Sequence, residues 1–330
     1  MPSKKETQSI TKAIRKHRAE LITVYRVRRS AVGYRIKNGR LSDDIGIIIF
    51  VTKKQDESKL RSLNVEPVPK SIDGIDTDVQ AISIFPRSPD DSRYTPIQGG
   101  IATIRHPSPY VGTLGLVIRK GKKLFGITNN HVGADEDILG LRPPAARRGD
   151  PWVQPSTGSV PADRIGKLYR WNRLKTQGPG KINYYDLAIG ELVEPGLSRG
   201  IKANEIKDIG QIAGSEEIHL GDIVMKRGRT TRKRTGRVIA TDARFYVQYR
   251  GYNCDFEDQV AIIGHPNPVK PFSLQGDSGS VVVSAEPDPN TNAHKLKALL
   301  FAGGENDETG FDETFASPVK RILRDFNLKI

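Results

Sequence analysis

The stretch LQGDSGSVVV, residues 274–283, places four small or polar residues directly before an apolar, β-branched run. Such a run is typical of a strand, and the Gly and Asp residues ahead of it predict a tight turn. A serine nucleophile needs a turn of this kind, because backbone N–H groups must converge on the developing oxyanion. The N–H groups of Gly276 and Ser278 are the candidates for this role. The alternative interpretation is an ordinary hairpin turn in which Ser278 serves only the backbone geometry.

A nucleophilic serine also needs an imidazole to accept its proton and a carboxylate to orient that imidazole. Of the six histidines, only His131 ends an apolar strand, in FGITNNHVGAD, residues 125–135. Asp186 directly precedes the apolar run LAIGEL and is the main carboxylate candidate, while Asp135 is a second one. Taken singly, His131 fits a hydrogen-bonded strand-end histidine and Asp186 fits a turn aspartate. Together they occur in the order His131, Asp186, Ser278, which is that of the chymotrypsin triad.

The first part of the chain combines helix and strand patterns. A stripe of Ile10, Ile14, His17 and Leu21 follows a Ser or Thr cap and predicts a helix. Residues 31–51 predict two strands around a turn at Asn38-Gly39, residues 56–63 a short helix and residues 77–85 another strand. Residues 86–100 are rich in Pro, Asp, Ser and Gly and indicate a linker. We therefore predict a small α+β N-terminal domain with its linker over residues 1–95.

From about residue 100 onward, short apolar runs alternate with turn residues, which predicts an all-β barrel or sandwich without βαβ units. We place a first β unit at residues 96–205, with His131 and Asp186, and a second at 206–330, with Ser278. The second unit ends on an amphipathic helix that carries Val319, Ile322, Leu323 and Phe326.

The charge of the chain is strongly positive and unevenly distributed. The net charge is +14 over 330 residues, and the excess of Lys and Arg lies in residues 1–62 and 226–250. We expect these segments to lie on surfaces away from the cleft, as a solubilising face or as a site for a polyanion such as nucleic acid.

With a single cysteine, Cys254, the chain forms no internal disulfide. No apolar stretch approaches the ~20 residues of a membrane span and no secretory signal is evident, so we expect a reducing, cytoplasmic location.

These motifs resemble those of the trypsin- and chymotrypsin-like serine proteases. ITNNHV, YYDLAIGEL and GDSGS are similar to the histidine, aspartate and serine segments of that family. GTLG, GDPWVQP, KRGRTT and LLFAGG are similar to a cytoplasmic branch of it, seen in bacteria and in the plant narrow-leaf protein. The resemblance covers about residues 97–326 and, more weakly, residues 31–85. It implies two six-stranded antiparallel β-barrels with the active site between them and a C-terminal helix on the second.

The resemblance also implies roles for individual residues. Ser278 would be the nucleophile, His131 the general base and Asp186 its orienting carboxylate, with the N–H groups of Gly276 and Ser278 as the oxyanion hole. The remaining implied residues contact substrate: Ala302, Gly303 and Gly304 pair with its backbone, and Phe272 and Ser273 line the primary specificity pocket.

The sequence departs from the family pattern at several of these positions. Asn129 and Asn130 replace small residues before the histidine, and Ser280 and Arg232 replace glycines. Phe272 stands where trypsin-like members have a carboxylate, so a trypsin-like preference for Arg or Lys in that pocket is not expected. Asp312 and Glu313, on the following strand, are alternative carboxylates for the pocket.

We therefore predict a serine endopeptidase that cleaves protein or peptide substrates through an acyl-enzyme, without a metal or cofactor. Self-cleavage within residues 86–94 is a second enzymatic hypothesis. The non-enzymatic alternative is a catalytically silent protease-like scaffold that binds protein or nucleic-acid partners through its basic faces. Homo-oligomerisation is left open by the sequence.

Overall fold

The computed structural model describes residues 2–37, 39–51, 53–82 and 90–330. Over these residues the chain is mainly β, with its strands in two sheets and few helices. This confirms the predicted fold class. No helix among the described residues is long and apolar enough to cross a membrane.

The N-terminal unit has the predicted mixture of helices and strands, but the single helix predicted from Ile10 to Leu21 is divided at His17, and the short strand β3 was not predicted. Its elements are α1 (Lys4–Lys16), α2 (Arg18–Thr23), β1 (Ser30–Lys37), β2 (Arg40–Val51), α3 (Glu57–Ser62), β3 (Ser71–Ile72) and β4 (Ile75–Ala81). Ser3 caps α1 through a capping box with Glu6, which satisfies two otherwise unpaired N–H groups. Asn38 of the predicted turn and residues 83–85 of the predicted strand lie outside the described residues. Strand β1 pairs with a long strand of the second barrel, so the unit extends that barrel's sheet.

The first barrel is a seven-stranded sheet. After β5 (Ile97–Gly99), which pairs elsewhere, the chain forms β6 (Ile101–Arg105), β7 (Gly112–Leu114), β8 (Leu116–Lys120), β9 (Lys123–Thr128), α4 (Asn130–Gly133), β10 (Pro151–Val153), β11 (Arg164–Trp171) and β12 (Ala188–Leu192). The order in the sheet is β7-β6-β10-β11-β12-β9-β8. Only Gly115 separates β7 from β8, so the two ends of this order meet and the sheet curls into a nearly closed barrel. It has one strand more than the six expected.

The second barrel is a closed ring of six antiparallel strands. The remaining elements are a 3₁₀ turn (Leu197–Arg199), β13 (Ile201–Ile206), β14 (Gly210–Ser215), β15 (Ile223–Gly228), β16 (Arg232–Tyr249), β17 (Tyr252–Gly264), β18 (Val281–Ser284), β19 (His294–Glu305), β20 (Asp312–Pro318) and α5 (Val319–Phe326). Strand β16 pairs with β15 and β17, β17 with β20, β20 with β19, β19 with β18, and β18 with β15. This is the six-stranded barrel that the sequence predicts. Its sheet is larger than the ring because β1 joins it at β16 and β14 joins it at β19.

A shared apolar core joins the two barrels and the C-terminal helix. Leu116 and Ile127 of the first barrel cluster with Val281 and Leu299 of the second and with Ile322 of α5. Burying such side chains contributes about 1.5–3 kcal/mol each. The barrels are therefore packed as one body, and loops from each meet at their junction.

The basic segment 226–250 is not the continuous surface that we expected. Lys226 and Arg227 are almost fully buried, and Arg229 is 5% exposed. Arg227 and Arg229 form ion pairs with Asp90 and Asp91, because burying a guanidinium is costly unless it is paired. These contacts also anchor the described end of the predicted linker, whose residues 86–89 lie outside the described ranges.

Candidate active site

His131 lies on the one-turn helix α4, directly after β9, and its side chain is 8% exposed. Its Nδ1 lies 2.6 Å from Oδ2 of Asp186, which is fully buried just before β12. Strands β9 and β12 pair in the sheet, with Thr128 opposite Ala188, so the residues that follow one strand and precede the other meet. The structure thus brings together the histidine and the carboxylate that the sequence singled out.

Asp186 is held by several other donors. Its Oδ1 accepts from the backbone N–H groups of Asn130 (2.5 Å) and His131 (3.3 Å), and its Oδ2 accepts from the Tyr249 hydroxyl (2.8 Å). The Asn129 side chain donates to the backbone oxygen of Asp186 at 2.7 Å. The Asn129 side chain therefore helps to fix the aspartate, whereas Asn130 contributes through its backbone. A carboxylate with this many donors keeps one orientation.

The second carboxylate candidate, Asp135, does not contact the imidazole. It pairs instead with Arg105 at 2.9 Å and Arg250 at 3.3 Å and accepts from the Ser108 hydroxyl at 2.7 Å. The geometry therefore favours Asp186 as the partner of His131.

The pKa of His131 is raised above its ordinary value. Burial alone lowers it, but the charge of Asp186 and the hydrogen bond to that carboxylate raise it by more, and Glu136 adds to the increase. An imidazole with a raised pKa is a stronger base when neutral and is stabilised once it has taken a proton. This is the behaviour that a general base requires.

The turn that carries Ser278 has two features of an oxyanion-binding turn. Gly276 adopts φ of 93°, in the left-handed region, where a side chain would be strained. In the described part of the chain, neither the N–H of Gly276 nor that of Ser278 has a hydrogen-bond acceptor. Both donors are thus left available, as an incoming oxyanion would need.

The Ser278 hydroxyl does not contact the imidazole in this conformation. It donates to the backbone oxygen of Phe301 at 3.5 Å, at the long limit for a hydrogen bond, and the described residues show no hydrogen bond between Ser278 and His131. The serine turn and Val132, the residue after His131, nonetheless both pack against Gly112. A Cβ at Gly112 would lie 2.4 Å from Val132 and 2.7 Å from the Ser278 backbone oxygen.

Strand β7 connects the serine turn to the first barrel. The Thr113 N–H donates to the Ser278 oxygen at 2.7 Å, and the Thr113 hydroxyl donates to the Gly276 oxygen at 2.8 Å. The Thr128 hydroxyl, at the end of β9, donates in turn to the Thr113 oxygen at 2.7 Å. These bonds fix the position of the serine turn relative to the strand that leads to His131.

Asp277 anchors the turn from the other side. It forms a 2.7 Å ion pair with Lys226 on β15, and both side chains are fully buried. It also accepts from the Thr231 hydroxyl at 2.7 Å and from the backbone of Leu274 at 2.9 Å. Burial would raise the pKa of Asp277, but the Lys226 charge and these hydrogen bonds hold it below the ordinary value. The turn is therefore tied to the KRGRTT segment by a buried ionic contact.

The residues expected to contact substrate lie on the second barrel. Phe272 is fully buried in the apolar core of the barrel with Val282 and Leu300. The Ser273 hydroxyl lies 2.6 Å from that of Thr314 on β20. Opposite this segment, the end of β19 carries Ala302, Gly303 and Gly304, which pair with β20.

Of the two alternative carboxylates, Glu313 faces away from the Ser273–Thr314 contact, because neighbouring residues on a strand point to opposite faces. Its Oε1 accepts from Asn306 at 2.8 Å, and its Oε2 has no partner among the described residues. Burial raises the pKa of Glu313 to about 7. The Asp312 carboxylate instead lies beside Gly303, 3.8 Å from where a Cβ of that residue would stand.

A cavity of about 210 Å³ opens beside His131, and we call it the cleft. It is lined by residues of both barrels, among them Tyr110, Glu136, Tyr249, Gln275 and Ala302. In the described ranges, no group of three or more His, Cys, Asp or Glu side chains is arranged to hold a metal ion.

Sequence reasoning missed three residues of this site, namely Lys226, Tyr249 and Glu136. Lys226 interrupts an apolar strand in DIVMKRG, and a charged residue at such a position signals a buried ionic contact. Tyr249 and Glu136 carry no comparable signal, since each lies in a stretch with many polar residues.

Comparisons with known proteins found one curated relative at low identity. The rice (Oryza sativa subsp. japonica) protein NARROW LEAF 1 is 25% identical over 338 aligned positions, which cover 86% of this chain. The chain spans about half (54%) of the length of that relative. No protein-family model matches the chain.

Solved structures with a similar chain path include three bacterial proteases. Thermobifida fusca protease A is 16% identical with a TM-score of 0.45, and Nocardiopsis protease is 18% identical with a TM-score of 0.45. Cellulomonas bogoriensis chymotrypsin is 18% identical with a TM-score of 0.43. Each alignment covers 71% of this chain and 97% of the other.

Proposed function

We propose that this protein is a serine endopeptidase of the chymotrypsin type. The observation that carries the proposal is the buried pair of His131 and Asp186, 2.6 Å apart, beside a glycine turn that presents Ser278 and two unused N–H groups. These are the parts that nucleophilic acyl transfer requires: base, orienting carboxylate, nucleophile and oxyanion donors.

The proposed reaction begins when the Ser278 hydroxyl rotates from Phe301 toward Nε2 of His131. That nitrogen takes the proton as the serine oxygen attacks the scissile carbonyl, while Asp186 keeps the other ring proton on Nδ1. The N–H groups of Gly276 and Ser278 bind the oxyanion. His131 then gives its proton to the leaving amine, and water hydrolyses the acyl-enzyme by the same route.

Strand β19 offers a place for the substrate backbone. Beyond Leu300 the pairing of this strand among the described residues is with β20 on one side. Its other edge is left for an extended peptide, which would add to the sheet at Ala302, Gly303 and Gly304. The Ser273–Thr314 contact and buried Phe272 would then border a pocket for a neutral side chain. The substrate class is thus an extended segment of a peptide or protein.

The experiment that tests the proposal is hydrolysis of a library of blocked neutral peptides by the wild type and by Ser278→Ala. We expect cleavage by the wild type and a loss of several orders of magnitude in the variant, with about a 10³-fold enhancement over water remaining. Equal cleavage by both proteins would refute the assignment of Ser278.

The second candidate function is a protease-like scaffold without activity. The observation that favours it is the Ser278 hydroxyl, which points to Phe301 at 3.5 Å and not to His131. The scaffold predicts no cleavage of any peptide by the wild type, with binding of protein or nucleic-acid partners instead. Exposed residues such as Lys233 and Arg234 on β16 are where a polyanion would bind.

Location and processing belong to the same proposal. A single buried cysteine, Cys254, suits a reducing compartment, and we place the protein in the cytoplasm, in the branch that the motifs resemble.

Self-cleavage within residues 86–94 would give a new N-terminus, which N-terminal sequencing of the purified chain would reveal. The domain bounds at residues 95 and 205 also stay predictions.

A further inference from the structure

The cleft differs in charge from the chain that surrounds it. The protein carries a net charge of +14, yet the only Asp, Glu, Lys or Arg residue that lines the cleft within the described ranges is Glu136. Most other lining residues are apolar, among them Pro109, Val111, Val247 and Phe301. A carboxylate in an apolar cleft attracts a cation that has a long apolar stem.

Glu136 is partly buried, and among the described residues it has no Lys or Arg partner. Its Oε2 accepts from the backbone N–H of Arg250 at 2.9 Å, and Tyr110 lines the same cleft. No ion pair in the described part of the chain includes Glu136. The guanidinium of Arg250, whose backbone contacts Glu136, is directed to Asp135 at 3.3 Å.

The neighbours of Glu136 in the chain are turned away from the cleft and fully paired. Asp135 binds Arg105 and Arg250, and the buried Asp137 pairs with Arg173 at 2.7 Å. Asp135 and Glu136 both adopt left-handed backbone conformations, with φ of 57° and 56°. These conformations are costly for residues with side chains and are found where function fixes the backbone. Here they direct one carboxylate of the acidic run into the cleft.

The cleft also lies on the proposed path of the substrate. His131, Gln275, Phe301 and Ala302 line it together with Glu136. Gln275 directly precedes the serine turn, and Ala302 starts the strand edge proposed to pair with peptide. A substrate side chain next to the scissile bond would therefore enter the cleft. Its volume, about 210 Å³, is below the ~300–1,000 Å³ of pockets for drug-sized ligands, and suits a single side chain.

We propose that Glu136 is a specificity-determining residue that selects substrates with a Lys or Arg side chain adjacent to the scissile bond. The inference rests on the proposed function and names its substrate class: a basic peptide segment. The selection is separate from the primary pocket, where Phe272 replaces a carboxylate. The apolar walls hold the methylene stem of the side chain, and the Glu136 carboxylate accepts from its charged end.

The test uses a series of blocked peptides that are neutral except for one Lys, which is placed at a different position in each peptide. Each is compared with a second peptide that carries norleucine at the same position. Norleucine lacks only the ammonium group, so the ratio of the two isolates the charge. Peptide binding is measured on Ser278→Ala, and cleavage on the wild type. We expect one position at which Lys is preferred by about 10- to 100-fold, the range of one charge-assisted hydrogen bond.

In Glu136→Gln this preference should disappear, so that the Lys and norleucine peptides are bound and cleaved about equally well. Glu191→Gln is the matched control, since Glu191 pairs with Lys123 on the first barrel and does not line the cleft. Glu136→Lys should instead favour peptides with Glu at the selected position. The ratio also cancels the loss of the Glu136 charge near His131, because that loss affects both peptides equally. Thermal unfolding shows whether each variant is folded.

Several outcomes separate this inference from the proposed function. Lys preference that is absent in the wild type, or that survives Glu136→Gln, overturns the inference while cleavage itself stands. Selective binding of the Lys peptide with no cleavage by the wild type contradicts the protease and supports Glu136 as a recognition residue. If Glu136→Gln does not fold, the peptide preference of Glu136→Lys is used to test the inference. A preference for Lys that is unchanged in Glu136→Lys overturns it.

Discussion

The buried ion pair between Lys226 and Asp277 leads to a prediction with a definite size. In Lys226→Met, the side chain keeps a similar length and apolar character but loses its ammonium. Asp277 then remains as a buried carboxylate without a cation. Both side chains are fully buried, and their charged atoms are 2.7 Å apart. Removing one partner of a buried pair costs about 3–5 kcal/mol, because the remaining charge is uncompensated.

The other hydrogen bonds to Asp277 place the cost at the lower end of that range. The carboxylate still accepts from the Thr231 hydroxyl and from the N–H groups of Thr230 (2.7 Å) and Leu274 (2.9 Å). We therefore expect a loss of about 3 kcal/mol in the free energy of unfolding. At ~2–4 °C per kcal/mol, the melting temperature should fall by roughly 6–12 °C.

The sign of the pH dependence follows from the pKa of Asp277. Its pKa in the folded protein lies below the ordinary 3.8, so the pair stabilises the fold above that value and loses this contribution as pH falls through the folded pKa. In Lys226→Met the carboxyl prefers to be protonated. The stability difference between wild type and variant should therefore shrink at acidic pH.

The assay combines thermal unfolding with the rate at which a fluorophosphonate modifies Ser278. A loosened turn should slow labelling in Lys226→Met, and Lys226→Met/Asp277→Asn should regain stability because the buried charge is gone. Lys233→Met, an exposed change on β16, is the control. An unchanged melting temperature together with an unchanged labelling rate in Lys226→Met would refute the anchoring role of this pair.

Three further predictions concern groups around His131, Asp186 and Ser278. Tyr249→Phe removes a donor to Asp186 and should slow Ser278 labelling by about 10-fold, the size of one hydrogen bond to a charged group. The control Tyr246→Phe should label at the wild-type rate. A wild-type labelling rate in Tyr249→Phe would count against a role of Tyr249. Gly112→Ala places a Cβ 2.4 Å from Val132. This overpacking should lower the free energy of unfolding by about 1–3 kcal/mol and slow Ser278 labelling, whereas the control Gly178→Ala should do neither. A normal labelling rate in Gly112→Ala would disprove the role of this contact. Labelling should rise with pH through an apparent pKa above 6.5, because His131 must be neutral and its pKa is raised; a pH-independent rate would exclude His131 as the base.

The sequence predicted the strands and helices well because their signals are local. The apolar runs of β7 to β9, β11, β12 and β15 to β19, the capped helix α1 and the amphipathic α5 each follow from residues within one element, whereas β6, β10, β13, β14 and β20 were not singled out. Sequence order also placed His131 at a strand end and Asp186 just before another. The pairing of β9 with β12 then brought the two together without any further assumption.

The remaining features depend on contacts between distant segments. Strand β1 pairs with β16, and nothing in either strand specifies that partner. The prediction that residues 226–250 form a surface away from the cleft is wrong at both ends of the segment. Lys226 and Arg227 are buried and paired with Asp277 and Asp90, and Val247 to Tyr249 line the cleft. Tyr249, on the second barrel, contacts Asp186 of the first barrel, and this contact too joins residues that are distant in the sequence. Such partners become visible only when the chain is folded.

The central claim is that the His131–Asp186 pair activates Ser278, and the rate of covalent labelling by a fluorophosphonate tests it most directly. Mass spectrometry of the labelled protein should find the adduct on Ser278 in the wild type. Asp186→Asn should react about 10⁴-fold more slowly, because the amide stabilises the wrong imidazole tautomer; this is the size given by the established triad example of that substitution. Labelling of Asp186→Asn at the wild-type rate, or a wild type that does not react at Ser278, would contradict the account.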